Sequence, residues 1–182
     1  PRRNFWGQKI MLSGAYGPDI ISPIYSSTIG PNNAITESNE LVGEGITQEQ
    51  YTKDVYQMDQ EFIALRFGPS RHHETWDENV GLTAEEIDKL HQYSGIRSLQ
   101  FLKKVIQLKE YQNLKKAWLQ NGDKAARETA ETMLQGAIVS AKGKAKQDLL
   151  EDAKHGNNIK DRMKRSYEIQ KKKYEKVKDI MR

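Results

Sequence analysis

The chain has 182 residues, 36% of them hydrophobic, and a formal net charge of +4. Leu, Ile, Val and Phe together number 38, or 21%, so the apolar supply is thin for the length. There is no run of about 18 apolar residues for a transmembrane helix and no apolar opening stretch of a secretory signal, while zero Cys excludes disulfides, thiolate nucleophiles and Cys-based zinc sites.

The charge is unevenly divided. Residues 1–83 carry 6 Lys/Arg against 11 Asp/Glu, and residues 84–182 carry 23 against 14. All five prolines (Pro1, Pro18, Pro23, Pro31, Pro69) lie in the first part. Pro and Gly interrupt regular elements, whereas Lys, Glu, Gln, Leu and Ala favour helix. The second part should therefore be mostly helical.

Residues 1–45 show neither helical nor alternating periodicity, their short apolar pieces being separated by Gly14, Gly17-Pro18, Pro23 and Gly30-Pro31. So long a stretch without a regular element is unusual in a core-forming domain. It also holds Phe5, Trp6, Tyr16 and Tyr25, more aromatic content than disordered segments usually carry. The expectation is an extended arm that anchors on another protein surface through those four residues.

Thr47-Gln48-Glu49-Gln50 has the form of a capping box, with Ile46 and Tyr51 placed as a hydrophobic staple. Apolar residues at Tyr51, Val55, Met58, Phe62 and Leu65 then make one buried helical stripe, which Gly68-Pro69 should end. A polar connection from Ser70 to Gly81 leads to a second capping box, Thr83-Ala84-Glu85-Glu86, stapled by Leu82 and Ile87. Gly95 is expected to break or kink the helix that follows. A longer helix should run from Ile96 to Gln120, with Leu99, Leu102, Val105, Ile106, Leu108, Leu114, Trp118 and Leu119 as its core side. Asn121-Gly122 fits a C-terminal cap and Asp123 the next N-cap.

The next helix, about Lys124 to Lys154, has a weak, alanine-rich face: Ala126, Ala130, Met133, Leu134, Ala137, Ile138, Ala141 and Leu149. Small residues on one face predict close packing on a neighbour. His155-Gly156 should end this helix, and Asn158 should cap the last.

The last helix, Ile159 to Met181, has the cleanest pattern. Ile159, Met163, Tyr167, Gln170, Tyr174, Val177 and Met181 recur at a spacing of three or four, a two-in-seven seam of the coiled-coil type. A seam this narrow buries too little to hold an isolated helix, so it needs a partner helix. From Lys160 to Arg182 there are 10 Lys/Arg and 4 Asp/Glu. Lys160, Arg162, Lys164, Arg165, Lys171, Lys172, Lys173 and Lys176 are the candidates for contact with an acidic surface or RNA. Tyr167 and Tyr174 sit in the seam and read as packing residues, not as base-stacking platforms.

The fold class expected is mainly α: an irregular arm followed by about five amphipathic helices, the last long and basic. The divisions are 1–45, the arm; 46–82, the first helix and polar connection; and 83–182, the basic helical region.

No catalytic, cofactor or metal site stands out. Arg71-His72-His73-Glu74 groups metal-capable side chains, but adjacent helical residues point apart and His73-Glu74-Thr75-Trp76-Asp77 has Asp where a zincin has its second His. Gly14-Ala15-Tyr16-Gly17 has the spacing of a nucleic-acid-clamping loop, yet Pro18 follows and no flanking helix is evident. Phosphate-binding, dinucleotide-binding and hydrolase-elbow motifs are missing.

The expected role is a non-catalytic accessory subunit of a large intracellular assembly, of mitochondrial ribosomal or respiratory-complex type. Other protein subunits would be its partners, with RNA binding or attachment to a filament as the alternatives. A start at Pro1 implies processing, either loss of a presequence or simple Met removal.

Overall fold

The computed structural model describes residues 3–12, 34–43, 45–69 and 80–182. Two short strands pair antiparallel, β1 (Lys9–Leu12) with β2 (Ala34–Glu37), in a register that sets Lys9 opposite Glu37 and Leu12 opposite Ala34. Five helices follow among the described residues: α1 (Gln48–Ala64), α2 (Ala84–Ile106), α3 (Lys109–Asn121), α4 (Lys124–Glu151) and α5 (Gly156–Ile180). The fold is mainly α, and the described N-terminal residues are irregular apart from this strand pair, which the sequence does not announce. Tyr16, Tyr25, the Gly14–Gly17 loop and the Arg71–Glu74 cluster lie outside the described residues.

Both Thr residues cap helices. Thr47 Oγ1 accepts from the Gln50 amide, but the Gln50 side chain turns away to Asp54, so that box closes on one side only. At α2 the box is complete: Thr83 Oγ1 accepts from the Glu86 amide at 3.2 Å, and the Glu86 carboxylate accepts from the Thr83 amide at 3.0 Å.

The stripe of α1 is buried as its spacing predicts, at Tyr51, Val55, Met58, Phe62 and Leu65. It ends at Ala64, before Gly68-Pro69, with Leu65 as C-cap and Arg66 at φ 52°. Leu99 and Leu102 of α2 join it, as do Tyr111 of α3 and Ala130, Leu134, Ala137 and Ile138 of α4. Leu108 and Leu119, expected in this core, are exposed. Leu108 marks the α2–α3 junction, and the fully buried Tyr111 takes the core position instead.

Gly95 does not break the helix. α2 runs through it to Ile106, and the interruption falls at Gln107-Leu108. Gly95 is instead a point of close approach: a Cβ there would fall onto the Trp6 carbonyl group and lie 2.7 Å from the Gly7 nitrogen. Trp6 and Gly7 of the arm therefore pack on this chain. Trp6 is 1% exposed, stacked on Phe62 with centroids 5.6 Å apart and met edge-on by Phe5 at 4.8 Å. The expectation that Phe5 and Trp6 anchor on a foreign surface is corrected: aromatic rings need burial, and the nearest apolar surface is the one α1 and α2 supply.

The alanine face of α4 packs on α2, and Arg97 of α2 makes a two-pronged ion pair with Asp148 at 2.6 and 2.8 Å. Gly122 caps α3 in the left-handed conformation at φ 65°, and Asp123 caps α4 through the Ala126 amide. Gly136 and Gly143 lie off this packing face, with nothing within 4 Å of an added Cβ.

These two kinds of glycine predict opposite outcomes. Gly136→Ala should stabilise the fold by up to about 1 kcal/mol through helix propensity, raising Tm by roughly 2–4 °C. Gly95→Ala should cost about 1–3 kcal/mol or more, because it drives the Trp6 backbone off the helix. Thermal melts of the two variants check this, and equal shifts would contradict the packing role of Gly95.

Candidate protein-interaction helix

α5 begins in a tight turn out of α4. A Cβ on Gly156 would meet the Leu150 carbonyl, so the turn needs glycine there. The Asp152 carboxylate ties the turn down by accepting from the Lys154 amide at 3.0 Å, the His155 amide at 3.1 Å and the Tyr93 hydroxyl at 2.8 Å. The expected cap at Asn158 is replaced by this arrangement, which starts the helix three residues earlier, at Gly156. Ile159, fully buried, seats the first turn against Leu90, Ala145 and Leu149.

Charge completes the root. The Arg162 guanidinium donates to the Gly81 carbonyl at 2.8 Å and to the carboxylate of Glu86, which also closes the α2 capping box. Lys154 pairs with the neighbouring Glu85. Burial pushes the Glu86 carboxyl up, but the bond and charge of Arg162 with the Thr83 amide outweigh it, so it titrates below the usual range. The bond and charge of Lys154 hold Glu85 low, and those of Glu85 hold Lys154 high. Asp152 is also lowered, its burial outweighed by the Tyr93 hydroxyl and the two amides. Burial and the bond to Asp152 push the Tyr93 hydroxyl up to about 12.

Beyond this root the helix leaves the body. Tyr167 is 67% exposed, Tyr174 70%, Val177 54% and Met181 83%, and Met163 sits at the margin with 37%. From Met163 to Ile180 the helix extends about 27 Å at 1.5 Å per residue. The seam is thus split by its surroundings: Ile159 belongs to this chain's own core, whereas the rest faces outward on an uncovered helix. Arg162 likewise leaves the basic set, since Glu86 and Gly81 hold it. Lys160, Lys164, Arg165, Lys171, Lys172, Lys173 and Lys176 are exposed and have no ion-pair partner among the described residues.

The N-terminal polar network was not legible beforehand. Arg3, its side chain 2% exposed, donates to both oxygens of Asp88 at 2.6 and 3.0 Å and to the Gly7 carbonyl at 3.0 Å. Trp6 Nε1 donates to Asp59 at 3.0 Å, and the Trp6 carbonyl accepts from Tyr51 at 2.6 Å and Asn39 at 3.1 Å. Polar residues 30 to 90 positions apart leave no periodic trace. The density of aromatics beside Arg3 was the available signal.

A groove of about 360 Å³ opens between α1, α2 and the segment around Val42, with Ile46, Tyr51, Ile96 and Leu99 in its wall. Its rim pairs Lys103 with Asp54 at 2.8 Å. Among the described residues no group of three or more metal-ligating side chains comes together, and no helix is long and apolar enough to cross a membrane. No protein-family model, curated protein or solved structure matches the chain.

The root predicts acid lability. Carboxyls whose folded pKa is depressed stabilise the fold above their ordinary pKa, and that contribution is lost as pH falls through the folded values. The Tm of the wild-type chain should therefore drop steeply below about pH 4, the ordinary carboxylate range. Glu86→Gln keeps a residue able to close the capping box but removes the charge that Arg162 binds. Its melting temperature should be lower near neutral pH and fall less on acidification. Parallel curves for the two proteins would show that this pair does not set the acid limb.

Proposed function

We propose that this chain is a non-catalytic accessory subunit of a larger assembly, docked there by the outward part of α5. The observation that carries the reading is the seam of Tyr167, Tyr174, Val177 and Met181. It lies exposed on a helix of which the described residues hold the first two turns. A helix with a two-in-seven apolar stripe gains most of its stability from burying that stripe against another helix. The thin apolar supply of the whole chain supports the same role, because such a subunit completes its burial on its neighbours. The mitochondrial ribosome or a respiratory complex is the setting the basic C-terminal half favours, and composition alone supports that choice.

RNA contact is the second reading. The observation in its favour is the row of exposed lysines from Lys171 to Lys173 with Lys164 and Lys176, which have no ion-pair partner among the described residues. Binding of that kind falls steeply with salt, in proportion to the phosphates neutralised. Glu168, Glu175 and Asp179 interrupt the row, and both tyrosines lie in the seam, which is why docking is preferred.

Tagged full-length chain recovered from its source cells tests the reading. Replacing Tyr174 and Val177 together by Asp should release the co-purifying proteins while leaving Tm within about 1–2 °C, since exposed substitutions have small effects on stability. Retention of those proteins at wild-type levels would show that the seam is not the attachment site.

A further inference from the structure

The lysines of α5 are arranged as well as numerous. Continuing the seam as heptads places Tyr167, Tyr174 and Met181 at position a, and Met163, Gln170 and Val177 at position d. The positions flanking the seam then hold Lys164, Lys171 and Lys178 at e, and Ser166, Lys173 and Ile180 at g. The acidic residues fall elsewhere: Asp161, Glu168 and Glu175 at b, and Asp179 at f, all on the outer surface away from a docked helix. The flanks of the seam are basic without exception among their charged residues.

That pattern decides between occupants. In a parallel pair of helices each g residue faces an e residue of the partner, and in an antiparallel pair e faces e and g faces g. A second copy of α5 would set Lys173 against Lys178 in the first arrangement; in the second it would set lysine against lysine along the e flank, and Lys173 against Lys173 on the other when the helices are centred. The four flanking lysines are exposed and lack ion-pair partners among the described residues, none of which neutralises them. The b-position carboxylates, one turn back from each e lysine, close no ion pair with them in the structure.

Resting on the reading of α5 as a docking helix, we propose that its partner is a helix of a different protein carrying Glu or Asp at the positions that flank its seam. Acidic flanks turn each repulsion into attraction, and the same lysines exclude self-pairing. Gln170 at a d position further restricts the register to one in which its amide finds a polar neighbour.

The test uses the full chain and two synthetic heptad peptides with the same Ile/Leu seam, one with Glu and one with Lys at every e and g position. Fluorescence anisotropy should show binding of the Glu peptide, weakened by added salt, and no binding of the Lys peptide. A variant with Lys164, Lys171, Lys173 and Lys178 all changed to Glu should reverse the preference, losing roughly tenfold or more in affinity for the Glu peptide. Light scattering should find the wild-type chain monomeric. A dimer that the Tyr174→Asp/Val177→Asp variant abolishes would overturn the proposal, as would equal binding of the two peptides. Binding of a single-stranded RNA oligonucleotide that survives the Asp pair but is lost on lysine reversal would overturn it too, assigning the flanks to phosphate. In cells, release of native partners by the Asp pair but not by the lysine reversal would leave α5 a docking helix and refute acidic flanks. Release by neither variant would refute both.

Discussion

The carbonyl of Trp6 rests directly on the backbone of α2 at Gly95, and the N-terminal part of the molecule is arranged around that contact. A carbonyl buried there needs donors, and Tyr51 of α1 and Asn39 supply them. Asn39 in turn donates to the Gln92 carbonyl of α2, so one asparagine joins the arm to the helix on both of its sides. With the backbone fixed, the indole lands between Phe5 and Phe62, and Arg3 reaches Asp88. Burial raises the Asp88 carboxyl, yet the Arg3 bond and charge and the Gln92 amide hold it below its ordinary range. A side chain at position 95 would push the Trp6 carbonyl out of this arrangement.

α2 carries a different load at each level. Its first turn receives Arg162 and Lys154 from the α5 region, through Glu86 and Glu85. Its middle holds the arm on one side and α4 on the other, by Gly95 and by Arg97 with Asp148. Near its end Lys103 ties back to Asp54 of α1. Glu86 has two duties, as capping residue and as receptor for Arg162, and this couples the start of α2 to the direction in which α5 leaves.

The helices were legible because their signals are local. Capping residues at Thr47, Thr83 and Asp123, the Gly122 stop and the stripe of α1 depend on neighbours three or four residues away. The corrections at Gly95 and at Phe5 and Trp6 share one cause. A glycine inside a helical pattern signals either weakness or close approach, and the choice depends on a residue 89 positions distant, Trp6. Aromatics in a Gly/Pro-rich segment announce burial without naming the surface that buries them. For α5 the seam was legible but its division was not: Ile159 continues the pattern of Tyr167 and Tyr174, yet the turn at Gly156 and the Arg162 pair place it in the body. The basic set was likewise read whole, and only the position of Glu86 removes Arg162 from it.

The uncovered length of α5 also shapes how the free molecule moves through water. A spar of about 27 Å attached at one end of a small helical body raises translational friction well above that of a sphere of equal mass. The isolated chain should therefore sediment slowly and elute early on gel filtration, where a single subunit can pass for two. Tumbling would be anisotropic, with amides beyond Arg162 relaxing unlike those of the body.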